Sequence, residues 1–548
     1  MARTHRYTPF ERLLALITKV RPGEGYSVAL FGAHVFLILF SYYLFKAARE
    51  GLLLAKLSAA DASYATAITA TLLIFLVPLY SQVRRRLDGP RLVIAVTLFF
   101  VGCLIAFWSL DRVGIRVGFA FFVFVGIFSV MMLAQFWALA ADSFNIKSGQ
   151  RLFPAIMLAA QIGALSGTEF AEYFSVALGT RTLLLVGALT LLLTAFLTLP
   201  MHASVPDESR HRPHETTQAV PPIFGGFAVV ARSRYLMLIA VMIVLINWIS
   251  STGDFIHRSF VKEHFAALAS AAPVLGNQQD LISAYFGNFQ FWFVLVGLSL
   301  QTLVVGRLFR WLGVATTLLI PPLLSLLGYG LFGFLPILTT IRLLRIIESG
   351  TEYSVTNTSR QALFLPTDRT QTYEGKTAIE TFFWRFGDLL QAGVVVVGTR
   401  YLAMGAAQFA WLNVGLAVIW TLAALAIGRD YRRLARENLT NAAPYLTRPI
   451  PDADYRPGER FEHVLPRDLF ADTDPGDVLT LSARLADGTP LPRWLEFDAH
   501  HGRFHARTVA ITDDLLHVTV IATDHDGLAV SGTLVLRRVV VLSQGALS

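Results

Sequence analysis

The sequence predicts an all-α polytopic membrane protein of about twelve spanning helices in two groups of six, followed by a C-terminal all-β sandwich. Three observations carry this. Hydrophobic residues make up 54% of the 548 residues and charged residues only 15%, against about 25% charged in soluble globular proteins. The mean hydropathy of +0.54 is too high for one large soluble core. Apolar runs of spanning length recur until about residue 428, and beyond Pro444 the chain changes to short alternating segments.

In the first half the apolar runs lie near 27–45, 64–82, 91–110, 115–140, 153–175 and 181–200. A polar segment from His202 to about Pro222 has the composition of a linker. The second half gives runs near 235–257, 281–305, 309–328, 329–349, 377–400 and 406–428. The ninth and tenth are almost continuous, and Leu327–Gly328–Tyr329–Gly330 is the turn candidate, because two nearby glycines weaken a single long helix. The organisation expected is a first six-helix half at 1–200, a cytoplasmic linker at 201–234, a second half at 235–430, a linker at 431–454 and a soluble sandwich at 455–541.

Basic residues set the orientation. They cluster at Arg84, Arg85, Arg86 and Arg91, at Lys147 and Arg151, at Arg210, Arg212, Arg232 and Arg234, at Arg307 and Arg310, and at Arg429, Arg432, Arg433 and Arg436. With twelve spans all fall on one side, so both termini are expected in the cytoplasm, at an inner (plasma) membrane of bacterial type. The basic N-terminal stretch lacks the compact apolar run of a cleaved signal. The net charge of +8 is accounted for by these loops and tails, and no nucleic-acid partner is expected. The single cysteine, Cys103, excludes an intrachain disulfide and a cysteine metal centre. GxGxxG, P-loop and GxSxG motifs in the right context are absent, so neither an enzyme nor a cofactor is expected.

Charges inside apolar runs are the candidate functional residues, since each costs about 2.5–3.5 kcal/mol at hydrocarbon depth and such groups mark pathways or sites. The stretch Thr358–Gln391 runs from a polar segment with Arg360, Asp368 and Arg369 into a helix carrying Lys376, Glu380, Arg385 and Asp388. Helical spacing lets Lys376 lie over Glu380 and Arg385 over Asp388. The alternative is that these charges sit at the membrane surface. Lys46, Arg49 and Glu50 end the first span, as phosphate ligands or as snorkelling anchors. Asp254, with His257 and Arg258 behind it, closes the seventh. Arg342, Arg345, Glu348 and Glu352 follow the apolar tenth span; Arg345, Glu348 and Glu352, three and four apart, share one helix face, either as an ion-pair ladder or as a coupling site. Glu169 and Glu172 follow Gly163, Ala164 and Gly167, whose small side chains suggest close helix packing.

Four pieces of this chain resemble the ATP:ADP antiporter family of plastids and intracellular bacteria and its major-facilitator relatives. They are SYYLFKAAREGLLL; FWALAADSF with GQRLFPAIMLAAQIGALSG; INWISSTGDF; and SRQALFLPTDR with YEGKTAIETFFWRFGD. Together they cover roughly residues 25–430. The resemblance implies a 6+6 major-facilitator-type bundle that carries anionic, nucleotide-like solutes such as ATP and ADP by alternating access. It implies that Lys46 and Lys376 match the family's first- and eleventh-span lysines and that Asp254 stands nearest its seventh-span acid. The family's fourth-span glutamate has no counterpart before Asp142. Substrate contacts are therefore expected from Lys46, Arg49, Arg345 and Lys376, and coupling or ion pairing from Asp254, Glu348, Glu380, Arg385 and Asp388. Two other readings stay open: a proton-coupled carrier of another metabolite using Asp254 or Glu348, and a membrane-anchored protein that presents the tail.

The tail, with FADTDPGDVLTLSARLADGTPLPRWLEFDAHHGRF and VIATDHDGLAVSGTLVL, resembles a dystroglycan-type cadherin-like module or its bacterial immunoglobulin-like relatives. The module is expected to meet a protein partner. Asp472, Asp474, Asp477, Asp524 and Asp526 offer oxygen ligands for calcium, or ordinary turn chemistry.

Overall fold

The computed structural model describes residues 8–539 apart from 15–17, 19, 22, 85–88, 206–224, 272–276, 368–370, 441–442, 457–458, 467, 473–477, 507–514 and 525–526. Arg85, Arg86, Arg210, Arg212, Asp368, Arg369, Asp474, Asp477 and Asp526 lie outside the described residues. The chain divides into two compact units, Met1–Tyr431 and Arg432–Ser548.

The first unit is the helical bundle. Spans 1 to 6 are Gly25–Leu54, Ala59–Arg84, Gly89–Arg112, Gly118–Ser143, Ile146–Leu178 and Thr180–Ala203. Span 7 is Arg234–Ala271. Span 8 is Gln278–Ser299, continuing through Leu300–Val304 into Val305–Thr317. Span 9 is Ile320–Phe334 and span 12 is Ala406–Thr440. Span 10 joins Leu338–Thr351 to Asn357–Ala362 through the π-type turn Glu352–Thr356. Span 11 runs from Gln371–Gly375 through Lys376–Ala378 and Ile379–Phe383 to Trp384–Arg400. Eight of these helices are long and apolar enough to cross a membrane on length and composition alone. The other four carry charges, are short or are broken by π-type turns, and spans 10 and 11 hold much of the charge the sequence placed in the bilayer.

The boundary between spans 9 and 10 differs from the sequence expectation. The chain turns at Gly313 (φ 71°, ψ 168°), a left-handed conformation that only glycine adopts readily. Helix then persists through Gly328 and Gly330 to Phe334. Tyr329 is fully buried, and its hydroxyl donates to Glu348 Oε2 at 2.7 Å. The break comes at Leu335–Ile337, where Pro336 lacks an amide hydrogen and drives Leu335 out of the helical region (φ −125°, ψ 73°).

Small residues bring spans 1 and 5 together. A β-carbon on Gly163 would stand 2.3 Å from the Phe36 carbonyl oxygen, and one on Gly167 would stand 2.4 Å from that of Phe40. No side chain fits there, so the Gly-x-x-x-Gly pair is a backbone contact. Across the two halves, span 5 packs against span 8 and span 2 against span 11.

The second unit is a β-sandwich. Its strands are β1 Tyr445–Leu446, β2 Ala453–Tyr455, β3 Phe461–Val464, β4 Phe470–Ala471, β5 Thr480–Leu485, β6 Glu496–Asp498, β7 Arg503–Ala506, β8 Leu515–Thr523 and β9 Ala529–Arg538. One sheet has the order β2-β9-β8-β5, with β2 parallel to β9; the other is β3-β7-β6, and β1 pairs with β4. Alternate residues Val518, Val520 and Ala522 of β8 turn inward. They meet Phe461 and Phe504 of the opposite sheet in one core.

Candidate functional site

The charges that the sequence scatters over spans 1, 7 and 10 come together as one chain of ion pairs. Glu50 of span 1 accepts two hydrogen bonds from Arg258 of span 7, from Nε at 2.8 Å and Nη2 at 3.0 Å. Arg49 Nε donates to the same carboxylate at 3.3 Å. Both guanidinium groups lie over the Phe122 ring of span 4, at 4.2 Å for Arg49 and 5.4 Å for Arg258. Arg258 also stands 3.7 Å from Asp254, one helical turn away. Asp254 in turn pairs with Arg345 of span 10 at 2.7 Å, and Arg345 with Glu348 at 2.5 Å. Ser325 and Tyr329 of span 9 donate to Glu348 at 2.9 and 2.7 Å. Glu352, on its π-type turn, accepts from Ser250 at 2.9 Å.

Beside this chain lies a cavity of about 230 Å³ between the halves. Its charged lining is Arg49, Asp254, Arg258, Arg385 and Asp388, with serine, threonine and amide side chains between them. Buried charges need partners or solvent, and the cavity wall supplies both. Asp388 accepts from Ser251 at 3.0 Å and stands 3.7 Å from Arg385. Asp254 keeps 40% of its side chain exposed despite two arginine neighbours, so it remains open to the cavity. Lys46 is half-buried, with its ammonium over the rings of Tyr43 and Phe293 at 5.4 and 4.8 Å.

Ties between the halves gather toward the end of the bundle where span 1 finishes. Glu50–Arg258 is one. Gln391 donates to Ser63 Oγ at 3.2 Å and Asn288 to Glu172 at 2.8 Å. The Thr180 amide donates to Asp280 at 2.7 Å, and Lys262 to the Leu57 carbonyl at 2.7 Å.

Of the residues singled out in the sequence, Arg49, Asp254, Arg385 and Asp388 line the cavity, and Arg345 and Glu348 extend the ion-pair chain behind it. Lys376 and Glu380 stand apart from the cavity lining, and both meet the side-chain amide of Gln361. Lys376 Nζ donates to Gln361 at 2.6 Å, while Glu380 accepts from Gln361 at 3.0 Å and pairs with Arg360 at 3.6 Å. The Glu50–Arg258 pair escaped the sequence because its partners are 208 positions apart. The available signal was an acid on the first helix of one half and a base on the first helix of the other.

Comparison with known proteins places this geometry. Over 312 residues, 49% of the chain, the protein is 22% identical to ADP,ATP carrier protein 1 of Chlamydia trachomatis serovar D. It is 21% identical to ADP,ATP carrier protein 1 of Chlamydia pneumoniae over 323 residues. The bundle is similar to bacterial ADP,ATP carriers. The chain spans 57–60% of the length of these curated relatives. Among solved structures, the nucleoside transporter NupG aligns with a TM-score of 0.53 at 14% identity, covering 73% of this chain and 98% of that one. The POT family transporter PepTSo aligns at 0.54 with 11% identity, covering 74% and 98%. The fold is therefore that of these two transporter structures, and the apolar helices make the chain a multi-pass membrane protein. Residues 443–539 match the family described as "Putative Ig domain".

Proposed function

We propose that the protein carries an anionic, nucleotide-like solute through the membrane by alternating access, with the cargo held between the two halves. The observation that carries this reading is the cavity between spans 1, 2, 4, 7 and 11, with Arg49, Arg258 and Arg385 in its wall. Arginine presents a planar fork that suits phosphate oxygens. Arg49 donates Nε to Glu50 and, among the described residues, its terminal nitrogens make no hydrogen bond in the cavity it lines. Lys46 supplies a further cation held by rings. The likeness to ADP,ATP carriers supports a phosphate-bearing cargo.

In this reading the ties near the end of span 1 close that end of the bundle, and the arginine-rich ends of the spans face the cytoplasm. Rocking of the halves would break Glu50–Arg258 and re-form contacts at the other end. Lys376, with Gln361 and Arg360, sits where the cargo would enter and forms an outer contact. Asp254 and Glu348 are both held by Arg345, which favours exchange of solutes over a proton carried on either acid. Thermal unfolding of the purified protein with ATP, ADP or inorganic phosphate tests the reading. Stabilisation at 100 times the Kd should reach about 2.7 kcal/mol. No shift with any phosphate compound would refute an anionic cargo of this class.

A further inference from the structure

Next to Lys46 lies an aromatic group that the ion-pair network does not use. Tyr353 of span 10 stacks on Phe293 of span 8, with ring centroids 5.7 Å apart and planes 22° from parallel. Phe293 also carries the Lys46 ammonium 4.8 Å from its centroid. Tyr43 and Tyr42 of span 1 complete the group, Tyr43 with its ring 6.5 Å from that of Phe293 and Tyr42 with its ring 5.2 Å from that of Tyr43. Tyr353 is 56% exposed. Through Phe293 it adjoins Tyr43 and Lys46 of span 1, which places it where the two halves meet. A tyrosine stacked on one side and exposed on the other offers a π-face to a ligand.

We infer that Tyr353 is a stacking platform for a flat heteroaromatic ring whose attached anionic group is met by Lys46 and Arg49. This rests on the transport reading above and adds a subsite to it. Aromatic stacking tolerates different bases, because every base presents a π-face. The same subsite therefore admits purine and pyrimidine nucleotides with similar affinity and discriminates against phosphates that lack a ring.

The test uses the full chain in liposomes, with labelled ATP as probe and inorganic tripolyphosphate, which has the charges without the ring, as competitor. Tyr353→Ala is expected to raise the KM for ATP about tenfold while leaving tripolyphosphate inhibition unchanged. Tyr353→Trp is expected to keep the wild-type KM. An unchanged ATP KM in Tyr353→Ala overturns the platform and leaves the transport reading standing. Equal weakening of ATP and tripolyphosphate also overturns it, because the effect would then not be on the ring. Failure of tripolyphosphate to compete with the wild type overturns the pairing of ring and cation. A wild type that takes up no nucleotide overturns both the platform and the nucleotide reading.

Discussion

Replacing Glu50 with glutamine tests the coupling of the two halves most sharply. Glu50 is 2% exposed and Arg258 is 7% exposed, and their bidentate contact joins span 1 to span 7. Removing one partner of a buried ion pair costs about 3–5 kcal/mol. Asp254, 3.7 Å from Arg258, takes up part of the stranded charge, so about 3 kcal/mol is the working figure here. If the pair forms only when this end is closed, the loss shifts the equilibrium between the two states by about 150-fold. The assay replaces Cys103 with serine and introduces the pair Ser63→Cys and Gln391→Cys, whose native side chains meet at 3.2 Å across the same end. Glu50→Gln should strongly reduce cross-linking of that pair, and exchanging the two charges in Glu50→Arg/Arg258→Glu should recover part of it. Unchanged cross-linking in Glu50→Gln would refute the role of the pair as a latch.

Further outcomes follow from other parts of the structure. Gly167→Leu should prevent recovery of folded protein from detergent, because the Phe40 carbonyl leaves no room for a β-carbon and the backbone cannot yield without losing more than about 3 kcal/mol; normal yield and melting would contradict this. Tyr329→Phe leaves Glu348 without one of its donors and should lower stability by about 1–3 kcal/mol, read as a fall in melting temperature. In the tail, burial holds the His463 imidazole below its ordinary pKa, so the unfolded chain binds more protons near that value. Stability of residues 432–548 should therefore fall as pH drops through the ordinary histidine range, and His463→Gln should flatten the dependence measured by melting at pH 5.5 and 7.5. Deleting residues 445–548 should leave uptake by the bundle intact; loss of uptake from a folded truncated protein would make the tail part of the carrier.

The two groups of six helices and the tail were legible because bilayer thickness and strand alternation write long, redundant patterns. Gly163 and Gly167 signalled close packing for the same reason, since a small-residue repeat has one use in a membrane helix. The break between spans 9 and 10 was misplaced because two glycines looked weaker than they are inside a packed bundle, where Tyr329 and Glu348 hold the helix. Pro336 was the stronger signal. Arg345–Glu348 and Arg385–Asp388 could be read from spacing, being local on a helix. The Gln361 amide that joins Lys376 to Glu380 could not, because it comes from another segment of the chain. Glu50–Arg258 and Arg345–Asp254 join separate helices, and such contacts depend on how helices cross rather than on local pattern.

On the proposed function, a phosphate-bearing solute passes between the halves. Uptake of labelled ATP into liposomes loaded with ADP measures this most directly. Uptake is expected to be saturable, to require internal nucleotide and to fall at least tenfold in Arg49→Ala. Absence of uptake for ATP and every other nucleotide tested, by protein that is folded and inserted, would contradict it.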